Sequence, residues 1–276
     1  MSIIDQEIKK RIMTLNNTPD AWNKFWADTT IGIEEDVFAL AKEDHSVRWQ
    51  RIKAVLLTEL GTLKGLRVIE IGAGAGSYAA LMAREGASVT ILDYSDVALE
   101  RAGQFFERNG LFAEFVKQNA LSLTGDLLGR HDISMSFGLA EHFVGEARFT
   151  IVKSHFDVLK TGGMAFISVP NYYNLPYRIY KLLAERGGYW SWGKEKPFSR
   201  KELGAICEEI GVTEYGFLGE SVWSSLGFIN PFNKRYLRLL GISKHINLDP
   251  ARIKYERGTR LDQYLSYALV LYGKKS

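Results

Sequence analysis

From about residue 66 the chain alternates short apolar runs with amphipathic segments, the pattern expected of a parallel sheet covered by helices. "LRVIEIG" reads as a first strand and "SVTILD", Ser88 to Asp93, as a second, with "SYAALMAREG" between them as a helix closed by Gly86. Ser95 is placed to cap a helix that carries Leu99, Ala102 and Phe106 on one face. "AEFVKQ" and "HDISMSF" supply strands three and four, "ARFTIVKSHFDVLK" a helix ended by Gly162 and Gly163, and "GMAFISVP" strand five. The rhythm breaks over about residues 171–199, resumes with a helix in "SRKELGAICEEIG" and a strand in "VTEYGFLG", and breaks again over about 221–260. "QYLSYALVLYG", Gln263 to Gly273, where β-branched and aromatic residues dominate, reads as the last strand. Residues 1–60 read as a helical cap with an aromatic cluster of Trp22, Phe25 and Trp26, and residues 61–276 as one α/β domain with two insertions.

Composition narrows the class without naming a chemistry. At 46% hydrophobic and 24% charged residues, without repeats or low-complexity tracts, the 276 residues match an ordinary soluble globular protein. The opening "MSIIDQEIKKRIMTLNN" carries charge in every turn, unlike a signal peptide, and no apolar run approaches membrane-spanning length, so a cytoplasmic location is expected. Cys207, the only cysteine, falls on the apolar side of a helix and reads as a small buried residue. Net charge is +3 but unevenly spread. Residues 171–201 hold seven Lys/Arg against two Glu, and 221–260 hold eight against two acids, so these stretches sum to +11 and the remainder to −8. Such a split marks either a surface that meets anions or simply solvated faces.

The stretch "VIEIGAGAGSYAALMA" raises the first question of chemistry. A strand that runs through a glycine-rich turn into a helix brings backbone N–H groups close to a ligand, because glycine has no Cβ to hold it away. An acid at the end of the next strand, here Asp93, is placed to accept hydrogen bonds from both hydroxyls of a ribose. A nucleoside-containing cofactor is implied. Dinucleotide enzymes use such a turn with glycines at relative positions one, three and six. Those positions hold Gly72, Gly74 and Ser77, which argues against the rival class, an NAD-dependent oxidoreductase. The glycines present are Gly72, Gly74 and Gly76, with Glu70 two residues before the first and Asp93 seventeen after the last. Together with "NA" after strand three and "LKTGG" before strand five, this resembles the class I S-adenosylmethionine-dependent methyltransferase family, over roughly residues 62–273.

The resemblance implies a doubly wound, seven-stranded, mostly parallel sheet of Rossmann-like methyltransferase type, S-adenosylmethionine as cofactor, and a small-molecule acceptor methylated on O, N or C. It sets Gly72, Gly74 and Gly76 against the methionine part of the cofactor, Glu70 near its amino group, Asp93 at the ribose and Tyr94 on an adenine face. Asn119 and Ala120 fall at the adenine amino group, where family members often carry an acid; an amide still accepts there. Phe137 and Gly138 close the pocket at the end of strand four.

Strand four runs out in "SFGLAEHFVG", which puts Glu141 and His142 beyond its carboxyl end, where open α/β sheets bind ligands. The pair resembles the same stretch in several small-molecule branches of the family. In quinone O-methyltransferases a comparable pair comes with an upstream acid and a metal; here that position is Gly138, so no metal is expected. His142, with an unperturbed pKa of about 6.5, is suited to take a proton from an amine, hydroxyl or acidic carbon. Glu141 is suited to orient that imidazole or hold a cationic substrate, and both residues also have plain structural readings.

The insertions occupy the places where the resemblance implies a substrate lid. Their aromatics (Tyr172, Tyr173, Tyr177, Tyr180, Tyr189, Trp190, Trp192, Trp223) and cations (Arg178, Lys181, Arg186, Arg235, Arg238) suggest a flat or apolar acceptor bearing a negative group. "PFNKRYLRLLG" has the pattern of a basic amphipathic helix, suited to an anionic membrane surface, to a lipid-like substrate, or to packing on the core. With no recognised RNA-binding module, a nucleic-acid partner is not expected. A non-catalytic regulatory protein that keeps the cofactor pocket stands as the remaining alternative.

Overall fold

Near-continuous apolar runs form strands buried on both faces, and here they assemble one seven-stranded sheet in the order β3-β2-β1-β4-β5-β7-β6. The strands are β1 Arg67–Ile71, β2 Ser88–Asp93, β3 Glu114–Lys117, β4 His131–Phe137, β5 Leu159–Pro170, β6 Glu214–Gly219 and β7 Ala268–Lys274. β1 to β5 run parallel, and β7 lies antiparallel between β5 and β6. This computed structural model describes residues 17–28, 33–188, 190, 192–228 and 254–276. The opening 16 residues, Tyr189, Arg235, Arg238 and the basic stretch "PFNKRYLRLLG" lie outside them.

Alternation along the strands sorts side chains onto two faces. Val68, Val89, Ile91, Ile133, Met135 and Phe166 join one apolar cluster. It packs against α3 (Val47–Leu60), α4 (Ser77–Arg84) and α5 (Asp96–Arg108), which bring Trp49, Ile52, Leu56, Met82 and Phe105. Ile69, Ile71, Leu92, Ala165, Ile167 and Leu271 belong to the opposite cluster, covered by α6 (Glu146–Asp157) and α8 (Arg200–Glu209) with Ile151, Phe156, Leu203 and Cys207. Cys207 is fully buried, and burial pushes its thiol up to about 12, as expected of a packing residue. Local caps match the sequence: Ser46, Ser95 and Ser199 each accept from the backbone N–H three residues on.

Two element assignments change. The helix before β5 ends at Asp157, and Gly162 and Gly163 lie inside β5 rather than at the helix end. A Cβ on Gly163 would stand 3.0–3.1 Å from the carbonyl oxygens of Asp132, Lys160 and His131, so glycine is required by backbone crowding within the sheet. The last strand starts at Ala268, and Asp262–Leu265 form a short helix, α10. Asp262 is fully buried there, accepts from the N–H of Thr259 and Val222, and pairs with Arg51 at 2.8 Å, which draws the chain into a turn.

Ahead of the sheet stand α1 (Pro19–Ala27), α2 (Ile33–Asp44) and α3. The first insertion contains α7 (Leu175–Gly187), capped by Asn174, whose side chain accepts from the Tyr177 N–H at 2.8 Å; the second begins with α9 (Val222–Leu226). Among the described residues no helix is long and apolar enough to cross a membrane.

Candidate active site

The turn between β1 and α4 holds Gly72, Gly74 and Gly76 at φ of +62°, +54° and +71°, a region that L side chains rarely adopt. Bareness serves packing as well as conformation. A Cβ on Gly74 would come within 2.5 Å of the Trp26 ring, and one on Gly76 within 3.0 Å of Ile91 and 3.2 Å of Phe106. Because Gly76 brings no side chain to the start of α4, Glu70 does the capping: its carboxylate accepts from the Ala79 N–H at 2.6 Å. Burial pushes this carboxyl up to about 8, against that hydrogen bond and the nearby Arg48 charge.

A cavity of about 450 Å³ opens over this turn at the carboxyl ends of β1, β2, β3 and β4. Its walls include Glu70, Gly72, Gly74, Gly76, Asp93, Tyr94, Asn119, Ala120, Phe137, Gly138 and His142, so the sequence-predicted residues meet in one space, Glu141 excepted. Asp93 accepts from the Ser95 N–H at 2.9 Å and, at 3.4 Å, from the Gly74 N–H; burial raises its pKa. The Tyr94 hydroxyl donates to Asn17 at 2.8 Å, which fixes the ring. Asn119 turns its carbonyl oxygen to the Leu121 N–H at 2.9 Å, leaving one lone pair and its NH₂ available. Phe137 stacks on Tyr78 with ring centroids 3.5 Å apart.

Beyond β4, Ala140–His142 make a single 3-10 turn. His142 Nδ1 lies 3.1 Å from the Lys194 carbonyl, and Trp22 meets the ring edge-on. Burial lowers the imidazole to about 4, while backbone hydrogen bonds to Lys194 and Gly138 pull the other way. The ring is therefore neutral at pH 7 and a weaker base than an exposed histidine. Glu141 is buried beside it, with one carboxylate oxygen unpartnered, and burial together with nearby Glu195 holds its pKa well above the usual carboxylate range.

The chain belongs, by its sequence relatives, to an identifiable group. Residues 68–163 match a family described as a methyltransferase domain. A ubiquinone biosynthesis O-methyltransferase of Pseudomonas aeruginosa is 26% identical over 187 residues, 65% of this chain and 75% of that protein. The enzyme of the same description from Escherichia coli O7:K1 is 31% identical over 111 residues, 40% of this chain and 45% of the relative. These matches support a class I S-adenosylmethionine-dependent methyltransferase. Its fold is shared with the magnesium protoporphyrin IX methyltransferase of Synechocystis PCC 6803, solved with bound S-adenosylhomocysteine, at a TM-score of 0.54 and 16% identity over 93% of this chain and 94% of that one. The methyltransferase-domain match supports S-adenosylmethionine as the cofactor.

Several cavity residues escape a motif reading. The methyltransferase places Arg48 in the wall, donating to the Tyr78 hydroxyl at 2.5 Å and to Ser168 at 3.2 Å; Tyr78 in turn donates to Glu43 at 2.6 Å. Burial opposes the Arg48 charge, but Tyr78, Glu220 and Glu43 outweigh it and raise the pKa, so the guanidinium stays charged. From α1 come Trp22 and Trp26, and from just before it Asn17, which accepts from both Tyr94 and Trp22. Asn23 accepts from the Ser95 hydroxyl at 2.7 Å and ties α1 to the start of α5. The aromatic cluster at Trp22, Phe25 and Trp26 was the one sequence signal for this wall. Of the described insertion aromatics, Trp192 alone lines the cavity; Tyr177, Tyr180 and Trp190 pack with Phe228 and Tyr267. Arg178, Lys181 and Arg186 are not in the lining.

Proposed function

We propose that the chain transfers the methyl group of S-adenosylmethionine to a small-molecule acceptor in the cytoplasm. In this reading the cofactor lies across the carboxyl edge of β1, β2 and β3, and the acceptor sits at the end formed by His142, Phe143 and Trp192. The supporting observation is one cavity that joins a carboxylate, a left-handed glycine turn and a second carboxylate to His142 beyond β4. The residues suit the group. Glu70 has one oxygen free of the Ala79 bond for an ammonium, and each Asp93 oxygen keeps a lone pair for a ribose hydroxyl. Tyr94 offers a fixed aromatic face, and Asn119 an acceptor and a donor at the base. In this reading α1, α2 and α3 serve as a cap, with Trp22 and Trp26 of α1 closing the cavity over the turn.

When bound, the cofactor supplies a methyl group on a positively charged sulfur, already activated toward attack. The protein's part is to align the acceptor and keep water out. Trp22, Trp26 and Trp192 form apolar walls for that purpose. His142, neutral and held by backbone, serves as a wall and a hydrogen-bonding neighbour rather than as a strong base. The test is direct: incubation with methyl-deuterated cofactor and cell extract should produce a labelled metabolite, and the absence of any labelled small molecule would contradict the reading.

A second observation bears on how an apolar acceptor is reached. α7 exposes Leu175, Ile179, Leu182 and Leu183 at helical spacing, within the basic stretch of the chain. We read this face as a site of peripheral contact with an anionic membrane surface. Co-sedimentation with vesicles containing anionic lipid should be lost on Ile179→Glu with Leu183→Glu; equal binding by the variant would refute it.

A further inference from the structure

The first insertion brings a second acid to the pair beyond β4. Glu195 comes from the segment before α8, and its carboxylate, that of Glu141 and a ring nitrogen of His142 all lie within 4.8 Å of one another. The approach is built. The Lys196 N–H donates to the Glu141 carbonyl at 2.8 Å, and the Lys194 carbonyl meets His142. Buried Arg148 donates at 2.8 Å to the carbonyls of Lys196 and Pro197, pairs with Glu202, and stacks on Phe198.

Two carboxyls are thus held together, Glu141 buried and Glu195 half-buried, a costly arrangement unless a cation joins them. Among the described residues neither has an ion-pair partner: Lys181 pairs with Glu185, and Arg148 with Glu202. One Glu195 oxygen accepts from the Tyr177 hydroxyl at 2.6 Å, but one buried Glu141 oxygen has no partner. The pair borders the cavity, since Glu141 Oε1 lies 3.5 Å from where a Cβ on Gly138 would stand, and Gly138, His142 and Trp192 line it.

Taking the chain as a methyltransferase, we propose that Glu141 and Glu195 receive a positively charged nitrogen of the acceptor, so that the acceptor is an amine-bearing small molecule. The geometry suits an ammonium. It bridges two acceptors at about 2.8 Å each, so oxygens up to 4.8 Å apart need not move, whereas a small divalent ion at about 2.1 Å draws its ligands inward. Trp22 and Trp192 add aromatic walls that favour an organic cation. Burial holds both carboxyls above the usual range, and the nearby charges of Lys181 on Glu195 and of Arg148 and Arg48 on Glu141 offset it only in part.

The experiment is calorimetric titration of the protein saturated with S-adenosylhomocysteine, using 2-phenylethylamine, tyramine and octylamine, each against the matching alcohol. At least one amine should bind about tenfold tighter than its alcohol. Glu141→Gln and Glu195→Gln should erase that preference while S-adenosylhomocysteine binding is kept. Independently of any probe, at pH 8.5, above the raised Glu195 value of about 7, Glu195→Gln should raise the melting temperature of the ligand-free protein by removing a charge held beside Glu141. No amine preference in any of the three pairs, or a lower melting temperature for Glu195→Gln, would overturn the proposal. So would saturable Mn²⁺ or Zn²⁺ binding that needs both glutamates and is not displaced by amines. Failure of S-adenosylhomocysteine itself to bind would instead refute the methyltransferase reading.

Discussion

Asp93 and Glu70 line the same cavity, and burial raises both carboxyls, but their parts can be tested separately. Asp93→Ala should weaken S-adenosylhomocysteine about ten- to a hundredfold in a calorimetric titration, the loss of a charge-assisted pair of hydrogen bonds, and unchanged affinity would contradict the ribose assignment. Glu70, raised by burial to about 8 from an ordinary 4.5, carries a proton at neutral pH in the free protein. Its contribution to stability is therefore complete below about pH 4.5 and is lost as pH rises through about 8. Glu70→Gln should flatten that part of the profile in denaturant titrations at pH 6 and 8.5. An ammonium brought against the carboxyl favours its ionised form, so cofactor binding at pH 7 should release a proton. Binding enthalpies in two buffers of different ionisation heat would reveal it, and identical enthalpies would exclude it. His142, lowered to about 4, holds no titration near 6.5 to impose on the rate, so turnover should show no inflection between pH 6 and 7.5 from this group. A clear inflection there, absent in His142→Ala, would restore the general-base role.

Among elements, α1 and the segment around Trp192 both bring aromatic residues to the cavity wall. α1 buries no residue completely, so its position depends on a few contacts such as Trp26 on Gly74 and Asn23 on Ser95. Gly74→Ala should destabilise the protein by at least about 1 kcal/mol, from a left-handed backbone plus overlap with Trp26, and by less in a Trp26→Ala background. Equal losses in both backgrounds would mean that the two residues do not meet. Arg148 has the larger task, since one buried guanidinium holds the segment that carries Glu195. Arg148→Met should cost about 3 kcal/mol in urea unfolding. The helices and strands of the sheet were legible because a strand buried on two faces is apolar throughout and a covering helix is apolar on one side. The start of β5 was not, because Lys160-Thr161-Gly162-Gly163 reads as a turn while its backbone is in fact taken up by the sheet and by Lys275.

For the molecule as a whole, the half of the cavity proposed to hold the cofactor brings together residues named in advance, because they follow strand ends at fixed spacing. Its other half could not: Arg48, Asn17, Trp192 and Glu195 reach the site from segments whose order in the chain says nothing about where they fold. The same holds for the floor of the sheet. β7 is the latest strand in the sequence, yet it lies between β5 and β6 and supplies all the pairing that attaches β6 to the rest. A ribosome making this chain thus holds an unfinished sheet, with the edge of β5 bare and β6 unattached, until residue 274 has cleared the exit tunnel. Nascent chains halted before Ala268 should be open to protease and to chaperones, whereas chains carried past Lys274 should resist both.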